Sequence, residues 1–305
     1  LEGNIIVEAT GDPSINSRNE PASGDLVAEI IDALQSRDIR EVRGDIIVDE
    51  SAFPGPAVNP LWASGDLSHS YGTGTHGFNF EDNASGKRSV SDPAAVFRSR
   101  LRSAMTNRGI AVSQAKIENQ TRRHRLGEHH SATIDEIMRS CMMRSDNQFA
   151  EALMRKIGET YGDEGSVVRG TEETEKYWKR HKACMKGVEI HDGSGLSRSN
   201  RVTARFMADV LTHMYKNPYY ASFFPLAGQE GTLKRFLAGT PLEGMIAMKT
   251  GSMNGIQCYA GYKLDEDYAP THIVVVMMND MTNRSVARSE LEKLLLHVFA
   301  EDNIE

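Results

Sequence analysis

The sequence predicts a mixed α/β fold, and three observations carry that prediction. Short apolar runs and turn formers fill the first third, helical stripes dominate from residue 92, and three strand-like runs lie between residues 245 and 278. At roughly 150 residues per domain, a length of 305 residues suggests about two domains. With 39% hydrophobic and 25% charged residues, the composition excludes collagen-like, low-complexity and disulfide-scaffold proteins.

The first third predicts a strand, a helix and a second strand. Ile5–Val7 and Ile46–Val48 are short apolar runs bounded by Gly and Pro. The helix between them follows Ser23, and its apolar residues recur at spacings of three and four: Leu26, Ile30, Ile31 and Leu34.

Helical periodicity then predicts a series of helices. Pro93 opens one that ends near Thr106, and two apolar stripes, Ile134–Cys141 and Phe149–Ile157, predict helices that meet at Ser145-Asp146-Asn147. Two further helices are predicted over residues 203–216 and 284–300. Between these two helices, three runs predict an antiparallel meander: Met245–Met248, Gln257–Leu264 and Ile273–Met278.

Several functional classes are disfavoured. The net charge of −7 gives no basic footprint for nucleic acid, and the longest apolar run, Ile273–Met278, is far below the roughly 18 residues of a membrane span. Leu1–Thr10 has no basic start and is not itself a signal peptide. The three cysteines Cys141, Cys184 and Cys258 form no C-x-x-C pair and are predicted to be free thiols.

Two motif-like stretches are predicted to be loops. Gly72–Gly77 matches G-x-G-x-x-G, but neither a strand before it nor a helix after it is predicted. The histidines around Arg122–Arg125 and Glu128–His130 have no spacing that brings two metal ligands onto one helix face, so no metal site is predicted.

Lys249-Thr250-Gly251-Ser252 follows the apolar run Met245–Met248 and is predicted to end that strand. Side chains alternate along a strand, so Lys249 and Gly251 share one face and Thr250 takes the other. Lys249 can then meet a substrate carboxylate, while Gly251 lets the substrate lie against the backbone. An edge-strand lysine beside a turn glycine is an equally good interpretation of these residues alone.

Ser145-Asp146-Asn147 also supports two interpretations. Ser145 with Gln148 forms the pattern of a capping box for the helix that follows. A hydroxyl and an amide held where two helices meet can also relay a proton and hold a substrate carbonyl.

The two tripeptides together favour the functional interpretation. A given tripeptide occurs by chance in roughly one chain in twenty, and S-D-N and K-T-G accompany S-x-x-K in the serine enzymes that recognise penicillin. The chain resembles the class C low-molecular-mass penicillin-binding proteins, the D-alanyl-D-alanine carboxypeptidase/endopeptidases. Further segments that carry the resemblance, and that ordinary beta-lactamases do not share, are Gly11–Ser14, Gly44–Asp49, Asp192–Ser197, Pro225–Gly228 and Gly231–Leu233.

The resemblance implies a transpeptidase-like α/β (α+β) domain, with an antiparallel sheet flanked by helices and interrupted by inserted accessory domains. Residues 131–305 would be the C-terminal part of the catalytic domain and residues 1–130 an inserted accessory domain, shortened near Asp82–Val90. The expected substrates are peptidoglycan stem peptides ending in D-Ala-D-Ala, with beta-lactams as acylating analogues, at a periplasmic or other extracytoplasmic location. No metal or organic cofactor is expected.

The resemblance also implies roles for six residues. Ser145 would pass a proton to the leaving D-alanine, Asn147 would hold a peptide amide, and Lys249 with Thr250 would receive the terminal carboxylate. Gly251 would lie against the substrate, and the backbone N–H of Ser252 would form half of an oxyanion hole.

The nucleophile departs from the family pattern. The one Ser-x-x-Lys, Ser113–Lys116, begins within the strand-like run Gly109–Ser113, and residues three apart in a strand point to opposite faces. We expect the family's Ser-x-x-Lys to precede Leu1, and this chain alone to be inactive. A peptidoglycan-binding pseudoenzyme without the nucleophile is the alternative. A hydrolase with Ser194 as nucleophile and His191 nearby is disfavoured, because Asp192–Gly195 is not G-x-S-x-G and predicts a turn.

Overall fold

The computed structural model describes residues 1–19, 23–113, 123–217 and 219–300, and it confirms the mixed α/β prediction. The helices are α1 (Leu26–Gln35), α2 (Pro93–Asn107), α3 (Ile134–Arg144), α4 (Asn147–Gly162), α5 (Val167–Arg180), α6 (Ala204–Met214) and α7 (Arg284–Ala300). The strands are β1 (Ile5–Glu8), β2 (Glu41–Arg43), β3 (Ile46–Asp49), β4 (Ala84–Ser85), β5 (Arg88–Ser89), β6 (Ala111–Ser113), β7 (Ile246–Met253), β8 (Ile256–Leu264) and β9 (Pro270–Met278).

The chain forms two compact units, each assembled from three stretches of sequence. The first unit comprises Leu1–Ile137, Asn147–Thr174 and His191–Ser199, and the second comprises Met138–Asp146, Glu175–Ile190 and Asn200–Glu305. These units do not show which part of the chain is an inserted domain. The assignment of residues 1–130 to an insert and of residues 131–305 to the catalytic domain therefore stays a prediction.

The predicted strand–helix–strand unit forms the base of the first unit. Strand β1 pairs in parallel with β3, with Ile5 opposite Ile46, and α1 lies between them along the chain. The apolar faces of α1, α2 and the strands meet in one core around Phe78, Phe80 and Phe97. The rings of Phe78 and Phe97 lie 5.0 Å apart, within the range of aromatic pairs.

Side-chain caps set the first residues of α1 and α2. The Asp92 carboxylate accepts a hydrogen bond from the backbone N–H of Ala95 at 2.7 Å, and Pro93 occupies the first turn. Helix α1 is capped by Asp25 rather than by Ser23, whose hydroxyl lies 2.8 Å from His129 Nε2.

Helix α5 was not predicted, because its buried face in the first unit consists of Gly170 and Thr171 rather than large apolar residues. A Cβ on Gly170 would lie 2.0 Å from the carbonyl oxygen of Met154, so glycine lets α5 pack directly against α4. A sequence pattern of large apolar residues cannot mark a helix that packs through a glycine.

The second unit is built on the predicted antiparallel meander, in the order β7-β8-β9. Helix α7 covers one face through Leu291 and Leu295, and α6 covers the other through Leu211. Side chains of β7 alternate between the two faces: Ile246 and Met248 lie in the core with α7, whereas Ala247 lies in the core with α6.

Strand β7 is longer than predicted. Lys249 does not end it, because pairing with β8 continues through Thr250 and Gly251 to Met253. The turn follows at Gly255, which has a φ of 76°. Among the described residues, no helix is long and apolar enough to cross a membrane.

Candidate active site

Alternation along β7 determines where Lys249 and Thr250 point. Lys249 is opposite Ala260, which packs in the α6-side core, and Thr250 is opposite Tyr259, which lies in the α7-side core. The prediction that Lys249 and Thr250 take opposite faces is therefore confirmed.

The Lys249 ammonium lies against Ser145. Its Nζ donates to Ser145 Oγ at 2.6 Å and to the carbonyl oxygen of Thr250 at 2.6 Å. Burial lowers the pKa of Lys249 below its ordinary value of 10.5, and the neighbouring Cys141 opposes that shift. The structure thus brings together two of the predicted site residues across the second unit.

Ser145 is held in an unusual backbone conformation at the C-terminal end of α3. Its φ is 58°, the left-handed region that usually requires glycine. The N–H of Asp146 donates to the carbonyl oxygen of Cys141 at 3.1 Å, the long hydrogen bond of a Schellman-type helix end. The left-handed residue of such a motif is usually glycine. A serine at this position lowers the stability of the helix end, and it places a hydroxyl next to Lys249.

The capping-box interpretation of Ser145 is wrong. Helix α4 begins at Asn147, which makes Asp146 the residue before it. Both polar atoms of the buried Gln148 side chain lack a hydrogen-bond partner among the described residues, so Gln148 does not complete the box.

Cys141 lies on the last turns of α3 and is a neighbour that the sequence did not reveal. Its Sγ donates to the carbonyl oxygen of Asp146 at 3.4 Å. Burial raises the pKa of the Cys141 thiol to about 12; Asp146 adds to the rise and Lys249 opposes it. The thiol is therefore neutral at physiological pH. Cys141, Cys184 and Cys258 are all free, as predicted.

The outer edge of β7 is paired only at its beginning. The N–H of Met248 donates to Pro225 and the carbonyl of Ile246 accepts from Ala227. Backbone groups alternate in direction along a strand, so those of Thr250 and Ser252 point to the same outer edge. Beyond Met248, no backbone partner on that edge is found among the described residues.

Two hydroxyl contacts flank this edge. Thr250 Oγ1 donates to Thr232 Oγ1 at 3.0 Å, and Ser252 Oγ donates to Oε1 of the buried Gln257 at 2.6 Å. Thr232 belongs to the short 3-10 turn Gly231–Leu233, which packs beside β7. This turn carries part of the family resemblance, but nothing in the sequence pattern predicts a role for Thr232.

Asn147 lies in the first unit. Its Nδ2 donates to the backbone carbonyl of Tyr71 at 2.8 Å, and the Tyr71 hydroxyl donates to Asp66 at 3.0 Å. The structure places Asn147 two residues after Ser145, at the first position of α4. Its participation in a common site with Lys249 stays a prediction.

Asp192–Gly195 forms a turn, as predicted. The buried Asp192 carboxylate accepts from the N–H groups of Gly195 at 2.8 Å and Ser197 at 2.6 Å. Ser194 Oγ accepts from the N–H of Leu196 at 3.3 Å, and its hydroxyl bonds to the Glu151 carboxyl. These contacts give Ser194 a structural role in the turn.

Among the described residues, no group of three or more His, Cys, Asp or Glu could hold a metal ion. His129 is not simply solvated, because its ring lies 2.8 Å from both Ser23 and Glu29. Ser113 is the last residue of strand β6, as its strand-like surroundings predicted; Gln114–Lys116 lie outside the described residues.

An antiparallel sheet between helices, with the S-D-N serine bonded to the K-T-G lysine, is the arrangement of the serine enzymes that recognise penicillin, and a family match places the chain among the class C penicillin-binding proteins of low molecular mass. The sequence profile of the D-Ala-D-Ala carboxypeptidase 3 (S13) family matches residues 1–86 and 81–297. The chain belongs to this family, which confirms the resemblance. The two matched stretches overlap at residues 81–86, at the start of the segment expected to be shortened.

Individual proteins support the same relationship. The chain is 30% identical over 196 residues to a D-alanyl-D-alanine carboxypeptidase of Actinomadura sp. (strain R39), covering 57% of this chain and 35% of that protein. It is 26% identical over 286 residues to carboxypeptidase DacB of Mycolicibacterium smegmatis, covering 86% and 61%.

A solved structure establishes the fold. Penicillin-binding protein 4 (DacB) of Haemophilus influenzae superimposes with a TM-score of 0.82 at 20% identity, covering 97% of this chain and 82% of that one. A second structure of that protein contains a beta-lactam, and its TM-score is 0.72. The chain spans between 30% and 61% of the length of the curated relatives it matches.

Proposed function

We propose that this protein is a serine-type D-Ala-D-Ala carboxypeptidase/endopeptidase that acts on peptidoglycan stem peptides and is acylated by penicillin. The observation that carries the proposal is the 2.6 Å contact between Lys249 Nζ and Ser145 Oγ at the outer edge of β7. A cation and a hydroxyl placed beside backbone groups that have no backbone partner among the described residues suit an extended peptide that ends in a carboxylate.

The edge of β7 would receive the substrate as an additional strand. The backbone groups of Thr250 and Ser252 point to this edge, so the peptide would form hydrogen bonds there, and Gly251 leaves room for its backbone. The N–H of Ser252 would be one donor of an oxyanion hole, and such a donor typically contributes a few kcal/mol to catalysis.

The side chains at the site would bind the substrate and transfer a proton. Lys249 and Thr250 would bind the terminal carboxylate, and the protonated Lys249 would orient the Ser145 hydroxyl. Ser145 would then relay the proton released by the attacking serine to the leaving amine of D-alanine, receiving one proton as it gives one up. Asn147, whose amide is already held by Tyr71, would contact the peptide with its remaining polar atoms.

The proposed reaction needs an attacking serine in addition to Ser145. Acyl transfer needs a serine and a lysine base on one face, and the one Ser-x-x-Lys in the sequence begins at Ser113, the last residue of β6. This observation favours a second candidate, in which the 305-residue chain binds peptidoglycan peptides without being acylated.

Exposure to penicillin followed by intact-mass measurement tests the two candidates. Both candidates predict saturable binding of an N-acylated peptide ending in D-Ala-D-Ala, measured by NMR titration, and only the second predicts that the 305-residue chain forms no covalent adduct. A stoichiometric adduct mapped to one serine would establish the acylated form and identify the nucleophile. Absence of peptide binding would contradict both candidates.

The place of action follows from the substrate. Peptidoglycan stem peptides lie outside the cytoplasmic membrane, so we propose an extracytoplasmic location, with peptidoglycan peptides and beta-lactams as partners and without a nucleic acid or cofactor. Detection of the protein in the extracytoplasmic fraction of cells that express it tests this part separately.

A further inference from the structure

The hydroxyl of Thr232 is placed directly beside that of Thr250. The two oxygens lie 3.0 Å apart, although 18 positions separate the residues. Thr232 is exposed and Thr250 partly so. A pair of exposed hydroxyls at hydrogen-bond distance has no evident value for stability, because water could satisfy each of them equally well.

The segment that carries Thr232 is fixed from both sides. The N–H of Gly228 donates to the carbonyl of Leu233 at 3.0 Å, and the Leu233 side chain is buried in the core under β7. Gly231 lies so close to α3 that a Cβ there would be 2.4 Å from the Met143 carbonyl oxygen. The Thr232 hydroxyl is therefore held by backbone that also contacts the helix end bearing Ser145.

We propose that Thr232 is a positioning residue for carboxylate recognition, acting through Thr250; this inference rests on the proposed function. The structure has Thr250 donating to Thr232. When a carboxylate arrives, the hydroxyl of Thr250 turns its hydrogen towards the substrate and accepts a hydrogen bond from Thr232 in return. Hydroxyl hydrogens rotate to suit their partners, so this reversal needs no movement of heavy atoms.

The reversed pair strengthens the contact with the substrate. A hydroxyl that accepts one hydrogen bond becomes a better donor in the next, so Thr232 increases the polarity of the Thr250 O–H bond. The effect is largest for ligands with a terminal carboxylate, because a charged oxygen accepts a stronger hydrogen bond from Thr250 than an amide oxygen does. An amide-terminated ligand lacks the negative charge that makes the donated bond strong.

The test compares two peptides on the unsubstituted 305-residue chain and on three variants of it. Binding of an N-acylated peptide ending in D-Ala-D-Ala and of its C-terminal amide is measured by NMR titration for the unsubstituted protein, Thr232→Val and Thr232→Ser. Thr271→Val is the matched control, because Thr271 is an exposed threonine on β9 whose hydroxyl donates to the backbone carbonyl oxygen of Lys263 at 3.1 Å.

We expect Thr232→Val to weaken binding of the acid peptide about tenfold, the upper end of the net contribution of one neutral hydrogen bond, and to change binding of the amide much less. Thr232→Ser should restore the affinity. Equal affinities of Thr232→Val and the unsubstituted protein for the acid would overturn the inference, as would a parallel loss for both peptides. If the unsubstituted protein does not prefer the acid, the proposed function fails as well, and that result is visible without any variant.

Discussion

Lys249 donates a hydrogen bond to Ser145 at 2.6 Å across 104 positions of sequence. Neither residue is placed by its own element alone. Alternation on β7 directs Lys249 to the face covered by α6, and the left-handed turn after α3 directs Ser145 back to it. The contact therefore depends on both the register of the sheet and the way in which one helix ends.

Replacing Lys249 by Met should separate binding from stability. We expect roughly 10- to 100-fold weaker binding of a D-Ala-D-Ala acid, because a charged hydrogen bond is lost. The free energy of unfolding should be unchanged or higher, since a buried ammonium is costly. Peptide titration and urea denaturation measure the two quantities, and a large loss of stability would contradict the assignment.

The affinity for the acid peptide should depend on pH through the same residue. Burial lowers the pKa of Lys249 below 10.5, so the ammonium loses its proton at a lower pH than a free lysine. Binding of the acid peptide should therefore weaken on the alkaline side at a pH below 10.5, and Lys249→Met should lose this dependence. Titrations at stepped pH values measure it.

Ser145 offers a comparison of two substitutions that both remove the hydroxyl. Because its φ is 58°, Ser145→Gly relieves left-handed strain whereas Ser145→Ala does not, and glycine should be the more stable of the two by about 1 kcal/mol. Both should lose the contact with Lys249. Equal stabilities in urea denaturation would show that the helix end is not strained.

Replacing Gly231 by alanine should destabilise the second unit. In Gly231→Ala the new Cβ would lie 2.4 Å from the Met143 carbonyl oxygen at a φ of 48°, and we expect a loss of about 2–4 kcal/mol. Gly239→Ala is the control, because Gly239 has a φ of 73° but nothing within 4 Å. The control should lose only about 1 kcal/mol. Thermal or urea unfolding of both variants separates the cost of the steric contact at residue 231 from the cost of left-handed backbone strain, which both variants share.

Most elements could be predicted because their stabilising interactions are local or periodic. Helix α2 has its cap and its proline in sequence, and the meander has three apolar runs with short connections. Helix α5 and the continuation of β7 past Lys249 could not be predicted. Helix α5 buries only the small residues Gly170 and Thr171, and β7 is extended by pairing with β8, so neither feature shows the row of large apolar residues from which an element is predicted.

The candidate site was predictable in its residue types but not in its geometry. Ser145 and Lys249 were identified from two tripeptides, and their contact confirms that they lie together. The left-handed φ of Ser145 and the hydroxyl of Thr232 arise from contacts between distant segments. Such contacts exist only after folding, so a single sequence does not reveal them.

Glu151 is predicted to make the first unit less stable as pH rises. Its buried carboxyl accepts from the N–H groups of Gly193 and Ser194 at 3.0 and 2.8 Å. Burial, with the charge of Asp192 adding to it, raises the pKa of Glu151 from 4.5 to about 7. The folded state therefore binds this proton more tightly than the unfolded state does.

The sign of the effect follows from that difference. The contribution of Glu151 is fully present below about pH 4.5 and is lost as pH rises to about 7, a change on the order of 3 kcal/mol. Glu151→Gln keeps an acceptor for the two N–H groups and cannot ionise, so its unfolding free energy should not show this decrease. Urea denaturation of both proteins at stepped pH values measures it. A variant with the same slope as the unsubstituted protein would place the titrating group elsewhere, because the carboxyl is the only group that the substitution removes.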